Sequence, residues 1–442
     1  MLELSMTQDI LSSVLSAKKI FLYGIHGCGM LGLAQWLIDQ GIEVIGFDDT
    51  PGDVADNRIQ LRTTIDLDDI DVVCTTTALA HHHPLYQHLK SFKGLFCKRP
   101  ELLKAITSSY RQTVAITGTH GKTTTTTLTS FLLDQLNHPH HYFIGGKRLD
   151  TDRYAYYAHS AETVVFEADE SNSFLGSYAP YIAVVLNAHA DHLENFNYSI
   201  HAYRQNIINF AKNAFWLVID KATYDELELS SVFAHHDKII FLTQEAILES
   251  NKALCTTSHL ADNLPLYLKT PMSWQHISAA VTICKILGHN VDQVLDRVNV
   301  FKGVSYRLEK IETSYFNYVW RDYGHHPNEL QNVYRTLTAA YPTQKKIIIF
   351  QPHKYSRTKF FLNDFVTILS NYAHVYLLPT FTAQEEFDPA GDITVLHSLL
   401  RNSTIVNVMD ELIFSDTDQN TIIIFQGAGS IMAKALAWSK DH

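Results

Sequence analysis

The sequence predicts an α/β protein of three domains, each built on a largely parallel sheet. Three observations carry that expectation. The 442 residues exceed what one hydrophobic core serves. Short β-branched and apolar runs alternate with helical patterns along the whole chain. Glycine or polar clusters stand where strands give way to helices, which is where ligands sit in such sheets.

Composition narrows the class. Apolar content is 46% and charge 18%, as in soluble globular proteins. A net charge of −11 argues against a general nucleic-acid surface, so anionic substrates would need local basic pockets. Cys28, Cys74, Cys97, Cys255 and Cys284 are scattered without metal-type spacing, which implies reduced thiols and a cytoplasmic protein. No signal peptide is read at the start, and no apolar run approaches the roughly 20 residues of a membrane span. Histidines cluster at His81-His82-His83 and at His138, His140 and His141. Both clusters read as solvated loops, because adjacent histidines do not easily face one ion.

The first domain is placed at 1–107. KIFLYG (19–24) reads as a strand, followed by the turn Gly24-Ile25-His26-Gly27-Cys28-Gly29 and a helix from Met30 to Gln40. EVIGF then leads to Asp48. This is the opening of a doubly wound nucleotide-binding sheet. The turn alone leaves three uses open: NAD with Asp48 on a ribose, another diphosphate, or a tight turn with no ligand. Further strands are read at 71–77 and 95–97, with a helix at PELLKAI.

The central domain is placed at 108–312, after the polar joint Ser108 to Gln112. Residues 113–128, TVAITGTHGKTTTTTL, read as strand, glycine turn and helix. That arrangement makes a phosphate cradle, with backbone N–H groups and a helix N-terminus facing the anion. The ATP-binding set is Gly118, Thr119, His120, Gly121, Lys122, Thr123 and Thr124. Lys122 supplies charge for the β/γ-phosphates, and the Thr123 hydroxyl is placed for Mg²⁺. Ile116 occupies the place of the first glycine in the general phosphate-loop pattern. Strands at 163–169 and 181–187 end in Glu167-Ala168-Asp169-Glu170-Ser171 and Asn187-Ala188-His189-Ala190-Asp191-His192. A carboxylate and a histidine beside the loop suit a phosphate-bound Mg²⁺. The plainer alternative makes them strand-end caps. Strands at FWLVI and KIIFL and a helix near MSWQHISAAVTICKIL complete the domain.

The last domain is placed at 313–442. RDYGHHPNEL (321–330) reads as strand end, turn and helix, with Pro327 in the first turn. Strands at KKIIIF, HVYLLP, STIVNV and TIIIF follow, alternating with helices. Their ends carry Asp322, His325 and His326, then Gln351 to Thr358, then Gly427 to Ser430.

Gly118-Thr119-His120-Gly121-Lys122-Thr123 resembles the ATP loop of the Mur ligases, the ATP-dependent amide-bond ligases of peptidoglycan precursor synthesis. GIHGCGMLGLA, KRPELL, EADES, the Ala-Asp-His triplet, FKGVSYRLE, DYGHHP, FQPHKYSRT and QGAGS resemble segments of its L-alanine-adding branch, in order, over nearly the whole chain. The resemblance implies the three-domain Mur ligase architecture: a Rossmann-like UDP-binding domain, a P-loop ATPase domain and a Rossmann-like C-terminal domain. It implies that Gly27, Cys28, Gly29 and Met30, with Asp48, hold UDP-N-acetylmuramate. Glu167 and His192 would join Thr123 at Mg²⁺. Gln275, Arg307 and Asp322 would contact the nucleotide, and His353, Tyr355 and Arg357 the amino acid and nascent amide. The implied reaction joins L-alanine to the sugar carboxylate as ATP becomes ADP and phosphate, through an acyl phosphate. The attacking amine needs a general base, left open between His325 and His353. The catalytic set is therefore Lys122, Glu167, His192, His325 and His353, in a monomer or homodimer.

Four places depart from the family pattern. His189 stands where an acidic residue is usual. Trp274, Gln275 and Ser278 replace a His-Asn pair and a second Asn. Tyr306 replaces an arginine beside Arg307. Leu31 stands where Ser is common. The changes at His189, Trp274 to Ser278 and Tyr306 keep alive a nucleotide-binding homologue that has lost ligation, while the runner-up enzyme is the related ligase that recycles a tripeptide, over which FQPHKYSRT and GIHGCGM favour the L-alanine branch. An NAD oxidoreductase built on Gly24 to Gly29 is a third class, disfavoured by the ATP apparatus.

Overall fold

Three separate sheets organise the chain in the computed structural model. The structure describes all residues except 1, 50–53, 55, 78, 80–82, 190–192, 234–237, 243–264, 270–273, 384, 415–419 and 442. Cys255, His81, His82, Asp191 and His192, all singled out in the sequence, lie outside the described residues. The chain forms two compact units. One comprises Met1–Leu264 and Pro271–Lys302; the other comprises Pro265–Thr270 and Gly303–His442. The first unit holds two of the sheets.

After helix α1 (Leu2–Ser16), the first sheet contains β1 (Lys19–Tyr23), β2 (Glu43–Phe47), β3 (Gln60–Leu61), β4 (Val72–Thr75) and β5 (Leu95–Lys98). Their order is β3-β2-β1-β4-β5, with all pairs parallel. Crossovers run through α2 (Cys28–Asp39) and α3 (Pro84–Lys90), and α4 (Arg99–Thr107) follows β5. The order reverses beside β1, so the glycine turn after Tyr23 lies at the switch point where such sheets take ligands.

The second sheet contains β6 (Gln112–Thr117), β7 (His140–Phe143), β8 (Ala155–Tyr156), β9 (Thr163–Glu167), β10 (Ile182–Val185), β11 (Trp216–Asp220) and β12 (Ile239–Leu242). Its order is β12-β11-β10-β6-β9-β7-β8. β6 is therefore central, with parallel neighbours β9 and β10. It feeds α5 (Lys122–Gln135) through the glycine loop. Strands buried on both faces need unbroken apolar runs, and Thr113 to Thr117 are all buried. One core cluster continues through both sheets of this unit. Trp36 of α2 is fully buried against Phe143 and Tyr157, with ring centroids 6.0 and 5.8 Å away.

The third sheet contains β13 (Glu309–Ile311), β14 (Tyr318–Asp322), β15 (Lys346–Phe350), β16 (His374–Leu377), β17 (Ser403–Ile405) and β18 (Ile422–Gln426). The order is β13-β14-β18-β15-β16-β17, parallel apart from the β13–β14 edge pair. It opens at Glu309, a few residues ahead of the joint expected at 313.

One expectation is overturned. His140 and His141 are not solvated loop residues, and His138, in the loop before them, is half-buried. His140 and His141 begin β7 and are 2% and 1% exposed. His140 Nε2 lies 2.8 Å from Ser130 Oγ, and His138 bridges His289 and Thr163 at 3.0 and 2.9 Å. His141 Nε2 meets the Ala161 carbonyl at 3.2 Å. The physical reason is pairing: each ring finds hydrogen-bond partners inside, so burial is tolerated in the neutral form. Burial pushes the His138 and His141 pKa down to about 4, and lowers that of His140 and His289 as well.

A folded pKa below the unfolded value means the stabilisation is complete above about 6.5 and is lost as pH falls toward 4. For His141 alone the linkage is on the order of 3 kcal/mol. The urea midpoint is therefore expected to fall steeply between pH 6.5 and 4. His141→Gln should be less stable at pH 8 but show a shallower acid slope. An unchanged slope in the variant would contradict this account.

Candidate active site

The loop between β6 and α5 is shaped by two glycines in the left-handed region, Gly118 (φ +141°) and Gly121 (φ +87°). Gly121 caps α5 without a side-chain acceptor, so the first N–H groups of the helix stay open to an anion. Asn187, just past β10, locks the loop. Its Oδ1 accepts from the His120 N–H at 2.9 Å and its Nδ2 donates to the His120 carbonyl at 3.0 Å. Thr119 Oγ1 donates to the His189 carbonyl at 2.7 Å.

Lys122 opens α5 and folds back over the loop. Its Nζ donates to the Gly118 carbonyl at 2.7 Å and to Glu170 Oε2 at 2.6 Å. Burial disfavours the ammonium, but the charges of Glu170, Asp169 and Glu167 outweigh it, and the pKa is raised. Burial raises the Glu170 pKa, with Lys122 opposing. Asp169 is held below its usual range: burial works against this, but Lys122 and hydrogen bonds from Ser171 prevail. The strand end after β9 thus keeps Lys122 a full cation.

Two of the sequence-predicted metal donors, Thr123 and Glu167, lie on neighbouring elements, α5 and β9. Thr123 and Thr124 are buried on α5. Glu167, at the end of β9, accepts the Gly145 N–H through Oε1 at 2.7 Å. No group of three or more His, Cys, Asp or Glu residues poised for a metal occurs among the described residues. A hydroxyl and a carboxylate are hard oxygen donors. They fit Mg²⁺ shared with nucleotide phosphates rather than a cation held by protein alone.

The helix Trp274–Ile286 borders this loop. Gln275 Nε2 donates to the Leu186 carbonyl at 2.9 Å. Trp274 and Ser278 are buried at 8% and 4% exposure, which favours core packing over base stacking for Trp274. His276 was not foreseen. Its Nδ1 lies 3.2 Å from Thr125 Oγ1, and a Cβ on Gly121 would come within 2.0 Å of its Cε1. A ring on a glycine from a distant helix leaves no local sequence signal. Glu170 and Asn187 did leave one, as polar strand-end residues.

At the first sheet, Gly24 has φ +88° and Gly27 precedes α2 without a side-chain cap. Asp48 Oδ2 accepts the His26 N–H at 3.1 Å, so this carboxylate braces the turn itself. Gly29 touches Arg99: an added Cβ would lie 2.2 to 2.6 Å from the guanidinium. Burial raises the Cys28 thiol pKa, which Tyr154 and Arg99 lower and Glu167 raises. The turn and the end of β9 are therefore electrostatic neighbours. Met30 is 2% exposed and its N–H is spent on the Gly27 carbonyl, so its side chain serves the core.

The second compact unit gathers its own cluster. Asp322 ends β14 and is buried. Its Oδ2 accepts from the Leu308 N–H at 2.8 Å, and its Oδ1 from the Gly324 N–H at 2.7 Å and Gln426 Nε2 at 3.2 Å. Burial raises its pKa against the pull of Arg307. Arg307 lies 3.7 Å from Glu329 and over the Tyr323 ring. The His325 and His353 rings stand 5.2 Å apart. Arg357 Nη1 donates to His353 Nδ1 at 3.2 Å. Burial, then His325, Arg357 and Lys354, push His353 down to about 3. Burial also lowers His325, whose Nδ1 meets the Tyr323 carbonyl at 3.1 Å. That contact places the proton on Nδ1 and leaves Nε2 as an acceptor. Tyr355 packs edge-on to Phe387. Tyr306 carries Arg321 over its ring at 4.6 Å.

Comparison with known proteins agrees with this architecture. Residues 116–254 match the Mur ligase middle domain. A UDP-N-acetylmuramate–L-alanine ligase of Francisella philomiragia is 28% identical, covering 94% of this chain and 98% of its own. The crystal structure of the UDP-N-acetylmuramate–alanine ligase of Thermotoga maritima superposes with a TM-score of 0.75 at 22% identity, over 96% of this chain and 98% of that one. A murein peptide ligase of Psychrobacter arcticus follows at a TM-score of 0.66 and 16% identity, over the same shares. The fold is the three-domain Mur ligase fold.

Gly121→Ala meets two obstacles, a positive φ and the His276 ring. It is expected to weaken binding of an ATP analogue at least about tenfold, since 1.4 kcal/mol of loop strain suffices. Adding His276→Ala should restore only part of this, because the backbone strain remains. Full restoration by the double variant, measured by calorimetry, would show that the contact alone matters.

Proposed function

We propose that this Mur ligase homologue joins L-alanine to the carboxylate of UDP-N-acetylmuramate at the expense of ATP. The observation that carries the reading is the meeting of two cradles in one compact unit. The glycine turn before α2 suits a diphosphate, and it neighbours the acidic end of β9 beside the phosphate loop. A UDP-sugar on the first thus brings its carboxylate toward the phosphoryl donor on the second. The end-to-end likeness to a ligase named for these substrates supports the same pairing.

A carboxylate is a poor electrophile, so the γ-phosphoryl group is transferred to it and phosphate becomes the leaving group. Lys122 follows the charge of that group, while Gly118 and Gly121 open backbone N–H groups to it. Mg²⁺, shared with the phosphates by Thr123 and Glu167, would supply further charge neutralisation; His192 is the remaining proposed donor. The attacking amine must be neutral. His325 is the better base, because its Nε2 accepts, whereas His353 Nδ1 is occupied by Arg357. Asp322 holds the Leu308 and Gly324 backbone in place, so its part in nucleotide contact runs through the segment carrying Arg307. No described helix is long and apolar enough to cross a membrane, and Cys28, Cys74, Cys97 and Cys284 are free. Both fit a place in the cytoplasm, beside its soluble substrates.

The test is phosphate release from ATP with UDP-N-acetylmuramate, with and without L-alanine, and with a tripeptide in parallel. Alanine-dependent release with a product one alanyl residue heavier is expected. Release only with the tripeptide would assign the recycling reaction, and ATP binding without amine-dependent release would end the ligase reading. Lys122→Ala should cut turnover about 100- to 1,000-fold, the scale of losing about 2.7–4 kcal/mol of transition-state stabilisation. Near-normal turnover in that variant would refute the role given to Lys122.

A further inference from the structure

We propose that Arg99 is the residue that grips the anionic part of the acceptor at the glycine turn, and that Gly29 is a glycine to let it do so. The inference rests on the ligase reading and names a substrate-positioning residue within it.

Arg99 starts α4, directly after β5, at the same edge of the sheet as the glycine turn. Its backbone is fixed on both sides. Pro100 follows it, and Glu101 accepts the Lys98 N–H at 2.7 Å. The guanidinium lies flat against Gly29, where any Cβ would collide with Nε, Cζ and Nη2. Its Nε is buried and has no hydrogen-bond partner among the described residues. Leaving a buried guanidinium N–H unpaired costs free energy, so the group calls for a partner from outside the chain, a ligand or a water. Among the described residues Arg99 enters no ion pair, although Asp169 and Glu167 stand on the same side of the unit. Its charge is felt by Cys28, Cys74, Asp169 and Tyr178, so it acts on both the glycine turn and the end of β9.

An arginine fork suits either a diphosphate or a carboxylate, since both accept two parallel hydrogen bonds. A cation is needed there on general grounds. The acceptor carboxylate and the phosphate loop's nucleotide are both anions, and they must approach within bonding distance while Glu167, Asp169 and Glu170 line the strand end.

Gly29 explains itself on this account. It has no positive φ and sits in the first turn of α2, where alanine is conformationally welcome. The three atoms nearest to a methyl group at Gly29 all belong to the flexible end of Arg99. Gly29→Ala should therefore displace the guanidinium without unfolding the domain.

The experiment is binding of UDP-N-acetylmuramate to the full chain by calorimetry, for the unaltered protein, Arg99→Gln, Arg99→Lys and Gly29→Ala. UDP-N-acetylglucosamine, which shares the diphosphate but lacks the carboxylate, is the second probe. Arg99→Gln is expected to weaken UDP-N-acetylmuramate at least about tenfold, with Arg99→Lys recovering part and Gly29→Ala tracking Arg99→Gln. ATP-analogue affinity and thermal midpoint should be unchanged, which separates a grip on substrate from a folding role. Loss for both sugars assigns the diphosphate; loss for the muramate alone assigns the carboxylate. Unchanged affinity in Arg99→Gln, in a protein that binds the sugar, overturns this inference alone. Failure of the unaltered protein to bind either sugar overturns the ligase reading and this inference together.

Discussion

A partly buried ion pair, Lys122 with Glu170 at 2.6 Å, is the constraint on which the central domain turns. Glu170 is 2% exposed. Two charges so placed are costly to desolvate, and such pairs are seldom kept for stability alone. This one sets a cation at the mouth of the phosphate loop and forbids it to relax into solvent. Its geometry follows from the sheet. β6 is central, β9 is its parallel neighbour, and Glu170 lies just beyond the end of β9. The loop's second anchor comes from the other side, where Asn187 beyond β10 ties down both polar groups of His120. A strand order with β6 at an edge would supply only one of these two supports.

The same logic extends to the first sheet within that unit. Its glycine turn is braced by Asp48, and α2 runs from the turn to the edge of the second sheet. There Gln35 Oε1 accepts the Tyr154 N–H at 2.9 Å, and Trp36 packs on Phe143. A shared core makes the distance from the glycine turn to the end of β9 a property of packing rather than of a loose linker. Fixed spacing matters for a reaction between two bound anions, because holding them in register replaces a bimolecular encounter with an intramolecular step.

How much of this could be read from sequence depended on whether the signal was local. The phosphate loop was legible because strand, glycine turn, lysine and helix follow one another within sixteen residues (113–128). The parallel strands announced themselves as β-branched runs, and Pro327 marked the start of the helix Pro327–Ala340. The β7 histidines misled, since polarity and a nearby proline suggest a loop. Only the fold brings Ser130, Thr163 and His289 to pair them. His276 on Gly121 and Arg99 on Gly29 were invisible for a related reason. Each is a contact between residues far apart in the chain, and a glycine's need for space shows nothing about what fills it. The likeness to a known family supplied role assignments for Asp322 and Tyr355. The structure shows one holding backbone and the other packed on Phe387.

Three of the residues that depart from the family pattern, Tyr306, Trp274 and Gln275, share a physical direction. Tyr306, where an arginine is usual, turns to internal use under Arg321. Gln275, in place of an asparagine, spends its amide on the Leu186 carbonyl, and Trp274 joins the core. Each replaces a group suited to an outside ligand with one satisfied inside the protein. The phosphate loop shows no such retreat: its glycines keep their left-handed conformations, its lysine keeps its charge, and its first helical N–H groups stay uncapped. The phosphate cradle is thus the part of the family pattern that this chain keeps intact, while the positions flanking it have turned to internal contacts. Binding energy placed on the phosphates acts where charge moves in the reaction, whereas contacts to a base tighten ground state and transition state alike. Loss of the second kind of contact is compatible with retained ligation in a way that loss of the first is not.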